Sequence, residues 1–159
     1  MVRLRKIMSA DVPTLKKEAK IEDAARLLCK TENGCIVITE DKKPIGIVTE
    51  LDLVRKIAGS KINFKDSISK IMTSPVTCMT PSMKLDEALK TIDTKRFRKY
   101  PVVENGQLIG LATKNDVVNA ISDNMRMHRA IQNVVLILFV AFELFIFFLY
   151  QPLVKFMGA

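Results

Sequence analysis

Apolar residues in the first 123 positions alternate between two periods. Ile21, Ala24, Ala25, Leu27 and Leu28 fall on one face of a 3.6-residue helix. Cys35-Ile36-Val37-Ile38-Thr39 is a short, mostly β-branched run that predicts a strand, and Pro44 to Thr49 predicts the next. A second helix is predicted over Leu51 to Ala58. The same order then returns. Leu85-Asp86-Glu87-Ala88 opens a helix, Tyr100-Pro101-Val102-Val103 and Leu108 to Thr113 read as strands, and Asn115 to about Asp123 reads as a helix. Asn105-Gly106 between those strands marks a hairpin turn, because both residues tolerate positive φ. Lys20 and Lys84 are poor caps for the first helix of each set. Glu22-Asp23 and Asp86-Glu87 instead favour its N-terminus through the helix dipole.

The recurrence keeps one offset. Ile7-Met8 returns as Ile71-Met72, Val12 as Val76, Gly46-Ile47-Val48-Thr49 as Gly110-Leu111-Ala112-Thr113, and Asp52 as Asp116, each 64 residues later. Two copies of one helix–strand–strand–helix unit fill about three-quarters of the chain. One copy alone has too little core to fold confidently, whereas two packed face to face bury a shared core. The expected units are 1–62 and 63–123, with a linker beginning at Gly59-Ser60-Lys61, followed by a C-terminal segment, 124–159.

Composition sharpens this last division. Charged residues make up 26% of the chain, yet mean hydropathy is +0.16, so charge and apolar content must be segregated. Between Ile131 and Tyr150 the sole charge is Glu143. Such apolar content excludes a uniformly disordered chain and argues against a plain soluble domain. Three cysteines, an odd number without Cys-x-x-Cys, speak for a reducing compartment rather than a disulfide framework. A single histidine, His128, leaves little for a zinc site. The basic start, Met1 to Lys6, leads into no long apolar run, so no secretory signal peptide is read. Of the net charge of +8, +7 lies before Asp123, scattered rather than clustered. That pattern does not favour a nucleic-acid partner and equally suits an anionic membrane surface. No Ser-His or Cys-His pairing, metal-ligand cluster or phosphate loop points to an enzyme.

The most informative local pattern is the corner where a strand ends at Thr and Asp follows three residues into a helix: Thr49 with Asp52, and Thr113 with Asp116. A capping box explains both residues without a ligand. The corner also offers free N–H groups and a partial positive charge for a phosphate, a hydroxyl that can donate to it, and a carboxylate that can accept from a ribose diol. Matched corners at repeat positions suit a nucleoside monophosphate.

At these corners, over Lys43 to Val54 and Tyr100 to Val117, the chain resembles the CBS-domain family, in which two copies form a Bateman module. The resemblance covers about Leu4 to Ala120. It implies an α/β pseudo-two-fold module whose clefts bind adenine nucleotides (AMP, ADP or ATP, with S-adenosylmethionine and NADH also found in the family). It further implies a homodimer, a regulatory role without catalysis, and no required cofactor. Carried over by position, Thr49 and Thr113 meet phosphate, Asp52 and Asp116 meet ribose, and Arg98 and Lys99 form a basic pair that reaches phosphate. Tyr100 and Pro101 match the position packing on the base, and the segments around Val12 to Thr14 and Val76 to Cys78, Thr77 included, match the backbone that reads the adenine edge. Copy one departs from the pattern. It carries Asn33-Gly34-Cys35-Ile36 in place of Arg98-Lys99-Tyr100-Pro101, which implies one stronger site and one weak or vacant one.

The C-terminal segment reads as a membrane anchor over about 131–152. The 17 residues from Val134 to Tyr150 span about 26 Å as a helix, against a bilayer core of about 30 Å. Six of the eight phenylalanines lie in this tail, on no single face. Arg126 and Arg129 precede the segment and only Lys155 follows, which places the repeats on the cytoplasmic side. Glu143 costs roughly 2.5–3.5 kcal/mol at mid-membrane on insertion scales. With Gln132 and Tyr150 it forms a polar stripe that could bond across a helix–helix contact. A soluble helix buried between subunits of a tetramer is the alternative. Taken together, the expectation is a membrane-anchored regulatory module acting on a membrane partner protein. The competing reading is a dimerisation scaffold with unoccupied clefts.

Overall fold

A computed structural model describes residues 2–59, 63–95 and 97–157, with the backbone alone for 57 and 148–157. The predicted linker residues Ser60 and Lys61, and the side chains of Tyr150 and Lys155, lie outside the described residues. The chain forms two compact units, the first ending at Asn119 and the second starting at Ala120.

In the first unit, β1 (Thr14–Lys16), α1 (Ile21–Leu28), β2 (Cys35–Glu40), β3 (Lys43–Thr49) and α2 (Glu50–Gly59) make up the first copy. The second copy has α3 (Leu85–Lys95), β4 (Lys99–Glu104), β5 (Gln107–Thr113) and the start of α4 (Lys114–Met157). The tandem α/β order is the one the hydrophobic pattern predicts. Strand β1 is an addition: three residues with no readable period, parallel to β2 with Leu15 opposite Ile38. At the equivalent place in copy two, Met79 makes a single parallel bridge to Val102. Both hairpins carry a bulge at the matched step, Ile38/Thr39 and Val102/Val103. Asn105 (φ 51°) and Gly106 (φ 78°) make the second turn, both left-handed as a tight hairpin requires.

The two copies exchange their leading segments. Ser9 and Leu111 bond reciprocally at 2.9 and 2.8 Å, and the Leu4 N–H donates to the Met83 carbonyl at 2.9 Å, so the N-terminus belongs to the second hairpin. In mirror fashion Ile47 and Thr73 bond at 3.1 and 2.9 Å, and the Ile68 N–H donates to the Ala19 carbonyl at 2.8 Å. The expected boundary at 62/63 therefore divides the chain but not the space. Part of the Gly-x-x-Thr pattern follows from this exchange. A Cβ at Gly110 would lie 2.8 Å from the Ser9 carbonyl oxygen, and one at Gly46 would lie 2.7 Å from the Met72 sulfur. Gly110 is held to glycine by the crossing backbone, whereas at Gly46 the nearest atom belongs to the flexible Met72 side chain.

One core beneath the first hairpin joins Ile21, Ala24, Leu28, Ile36, Ile38 and Val48 to Ile68 and Ile71 of the later segment. A second cluster, Cys35, Val37, Ile47 and Leu111 with Val12, Val76 and Leu108 against it, lies between the hairpins. This is the shared core that two face-to-face copies require. At the first helices, the Lys20 N–H donates to Asp23 at 3.1 Å and the Lys84 N–H to Glu87 at 3.2 Å. The acids act through a bond as well as through the dipole.

The core also sorts the thiols. Cys29 is exposed, while burial pushes the Cys35 and Cys78 thiols above their usual range; the nearby Lys99 pulls Cys35 back down in part. A raised thiol carries less thiolate at any given pH and so reacts more slowly. Labelling the native protein with a maleimide at pH 7 should give one fast thiol, lost in Cys29→Ser, and three in denaturant.

The helix expected to end near Asp123 does not stop there. α4 runs from Lys114 to Met157, and up to Pro152 no glycine or proline interrupts it. The expected boundary at 123/124 thus falls inside a helix. In the second unit, α4 is long and apolar enough to cross a membrane. Its side chains from Ile131 to Phe147 are exposed in the single chain, as a lipid-facing helix requires.

Candidate functional site

Strand β3 delivers Thr49 to the start of α2, and the corner closes as a capping box. The Thr49 N–H and hydroxyl donate to Asp52 Oδ2 at 2.9 and 2.7 Å, and the Asp52 N–H donates back to Thr49 Oγ1 at 3.3 Å. Asp52 Oδ1 has no partner among the described residues and remains an acceptor. The second corner repeats the box: the Thr113 N–H donates to Asp116 at 2.8 Å and the Asp116 N–H to Thr113 at 3.2 Å. Both corners are therefore structural in their own right, whatever else they hold.

What separates them is the surroundings. A cavity of about 610 Å³ opens beside the first corner, within the range of small-ligand pockets. Thr49, Asp52, Thr77, Arg98 and Lys99 all line it. The basic pair of copy two thus serves the corner of copy one, a pairing across the repeats. Further lining residues went unseen in the sequence. Arg55 stands three residues after Asp52, on the same side of α2, so extending the helical face from Asp52 would have found it. Glu50, Val76 and Phe97 complete much of the wall. Arg55 and Arg98 are exposed and have no ion-pair partner among the described residues. The Lys99 ammonium donates to the Asn33 carbonyl. Three cations against Glu50 and Asp52 leave the cavity positive.

The equivalent positions at the second corner carry different chemistry. Cys35 lies opposite Thr49 as Lys99 lies opposite Thr113, so the offset is 64 and the expected match of Asn33 with Arg98 shifts by one: Phe97, Arg98 and Lys99 correspond to Asn33, Gly34 and Cys35, and Pro75 corresponds to Asp11. Arg55 corresponds to Asn119. Arg55, Arg98 and Lys99 have no cationic counterpart and Asp11 is gained, while Glu50 is exchanged for Lys114, so the charge of these positions falls from +1 to −1.

Four of the expected residues do not line the cavity: Thr113 and Asp116, which belong to the other corner, and Tyr100 and Pro101, which are buried in β4. Tyr100 has no exposed surface, and its hydroxyl donates to the Phe97 carbonyl at 3.1 Å. Burial raises the Tyr100 pKa, so the phenol stays protonated and its hydroxyl holds the loop. Neither side chain reaches the cavity wall. Pro101 acts by what it lacks. In copy one the Val37 N–H donates to the Pro13 carbonyl at 3.0 Å. Pro101 at the matched position has no N–H, so the Thr77 carbonyl takes no bond among the described residues and is left as an acceptor beside the cavity.

Comparison with known proteins agrees with this duplicated architecture. Residues 4–59 and 68–123 each match the CBS domain. The uncharacterized protein MJ1225 of Methanocaldococcus jannaschii is 32% identical over 122 residues, 76% of this chain and 43% of that protein. The chain thus spans less than half the length of this curated relative. Among solved structures, the CBS domain pair of MJ0100 in complex with 5′-methylthioadenosine and S-adenosyl-L-methionine is 22% identical, with a TM-score of 0.69 over 77% of this chain and 98% of that one. CBSX2 in complex with AMP is also 22% identical, with a TM-score of 0.66 over 79% and 99%. Those two likenesses show a shared fold. With both copies matched by the family and their hairpins packed around one core, the chain belongs to the CBS-domain family and carries its domains as a tandem pair.

Proposed function

We propose that the CBS pair binds one adenine nucleotide per chain and, without catalysis of its own, regulates a partner protein at a membrane to which α4 anchors it. The observation that carries this reading is the cavity in which the Thr49–Asp52 corner meets Arg55, Arg98 and Lys99. Phosphate oxygens go to these cations and to the unpaired N–H groups at the start of α2. The ribose diol goes to Asp52 Oδ1, and the adenine amino group to the Thr77 carbonyl. The complexes with AMP and with S-adenosyl-L-methionine on the same fold support an adenosine ligand. Thr113 and Asp116 form a weak or vacant second site.

Anchoring is supported by the length and apolar character of α4, and a cytoplasmic CBS pair by Arg126 and Arg129 just before the apolar stretch, through the positive-inside rule. Self-association is supported by Val54 and Val118, matched positions of the two copies that remain exposed on α2 and α4.

Titration calorimetry of the full chain in detergent micelles tests the reading. Saturable binding of AMP, ADP or ATP is expected. A folded chain that binds none of them reduces both corners to helix caps and leaves a scaffold. Pro101 gives a finer prediction. Pro101→Ala restores an N–H that competes for the Thr77 carbonyl, so the preference for AMP over GMP should fall by about fivefold, one hydrogen bond's net worth. An unchanged ratio removes Thr77 from base recognition. Anchoring predicts that the full chain floats with liposomes after an alkaline wash; recovery in the soluble fraction contradicts it.

A further inference from the structure

We propose that Phe97 is the stacking platform for the base. This rests on the nucleotide reading above and adds the residue that gives the cleft its preference for a planar aromatic ligand. Tyr100 and Pro101 occupy the sequence position matched to base packing, yet both are buried in β4. Phe97 is the one aromatic lining the cavity among the described residues, and the residue is 44% exposed. Leaving that apolar surface in water is unfavourable, and a stacked base would cover it.

The ring is held rather than free. Its centroid lies 6.4 Å from that of Tyr100 at an interplanar angle of 67°, an edge-on contact that leaves a face of Phe97 open. The Tyr100 hydroxyl bonds the Phe97 carbonyl, fixing the backbone that carries the ring. Phe97 also precedes Arg98, so one short loop supplies both the platform and a phosphate cation. Asn33 stands at the matched position of copy one and donates to the Asp11 carbonyl at 3.2 Å. The other corner therefore has a polar, self-satisfied side chain where the first has a ring.

Two measurements on the full chain in micelles test this. In calorimetry, Phe97→Leu keeps apolar volume but loses the π face. It should weaken AMP about 5- to 150-fold, the range of base–aromatic stacking, while Phe97→Tyr stays near wild type. Ribose 5-phosphate, which has no base, should bind wild type and Phe97→Leu equally. The chain contains no tryptophan, so Phe97→Trp gives a unique emitter. AMP should quench it with the same midpoint that calorimetry gives. AMP binding within twofold of wild type in Phe97→Leu, or calorimetric binding to Phe97→Trp without change in emission, overturns the stacking role and leaves the nucleotide reading standing. A folded wild type that binds no AMP overturns both.

Discussion

Arg98→Ala lowers AMP affinity about 10- to 100-fold in titration of the full chain, and Asp116→Ala leaves it within twofold. The first effect is the loss of a charge-assisted hydrogen bond, about 1.5–3 kcal/mol. Arg98 has no ion-pair partner among the described residues, so its removal breaks no ion pair there. The guanidinium lines the cavity with Thr49 and Asp52, and its backbone is pinned by the Lys114 N–H on the Arg98 carbonyl at 2.8 Å. The loss should shrink as salt rises, because the cation is exposed. Asp116→Ala instead removes one half of a helix cap and should cost about 1 kcal/mol of stability. Equal losses of affinity from the two substitutions would contradict a single cleft that borrows its cations from copy two.

A second large effect is expected far from the cleft. Leu4→Ala costs about 2–5 kcal/mol of unfolding free energy, as for other fully buried leucines. The neighbouring Arg5→Ala costs less than about 1 kcal/mol, because its pair with Glu104 is exposed. Leu4 has no exposed surface, and its N–H bonds the Met83 carbonyl, 79 positions along the chain. Chemical denaturation of both variants in the same micelles measures the contrast. A mild Leu4→Ala would mean that the N-terminal segment does not fold onto the second copy.

These two predictions mark where sequence reading works on this chain and where it stops. The hairpins and the capped corners were legible because they are local and stated twice, at one offset. Strand β1 was not, since Thr14-Leu15-Lys16 is too short for a period and pairs only once β2 exists. The exchange of leading segments was not legible either, because Leu4 and Ile68 look alike whether they pack at home or on the other copy. The same limit applies to the cleft. The basic pair could be seen beside β4, but that it faces Thr49 rather than Thr113 is a fact of the assembled pair. The length of α4 was readable from the absence of glycine and proline between Gly110 and Pro152, although the sequence reading ended that helix near Asp123.

The central claim is one asymmetric nucleotide cleft per chain, and the most direct measurement is the stoichiometry of AMP binding to the full chain by calorimetry. One site per chain is predicted, abolished by Asp52→Ala and kept in Asp116→Ala. Two equal sites, or a single site that Asp116→Ala removes, would contradict it.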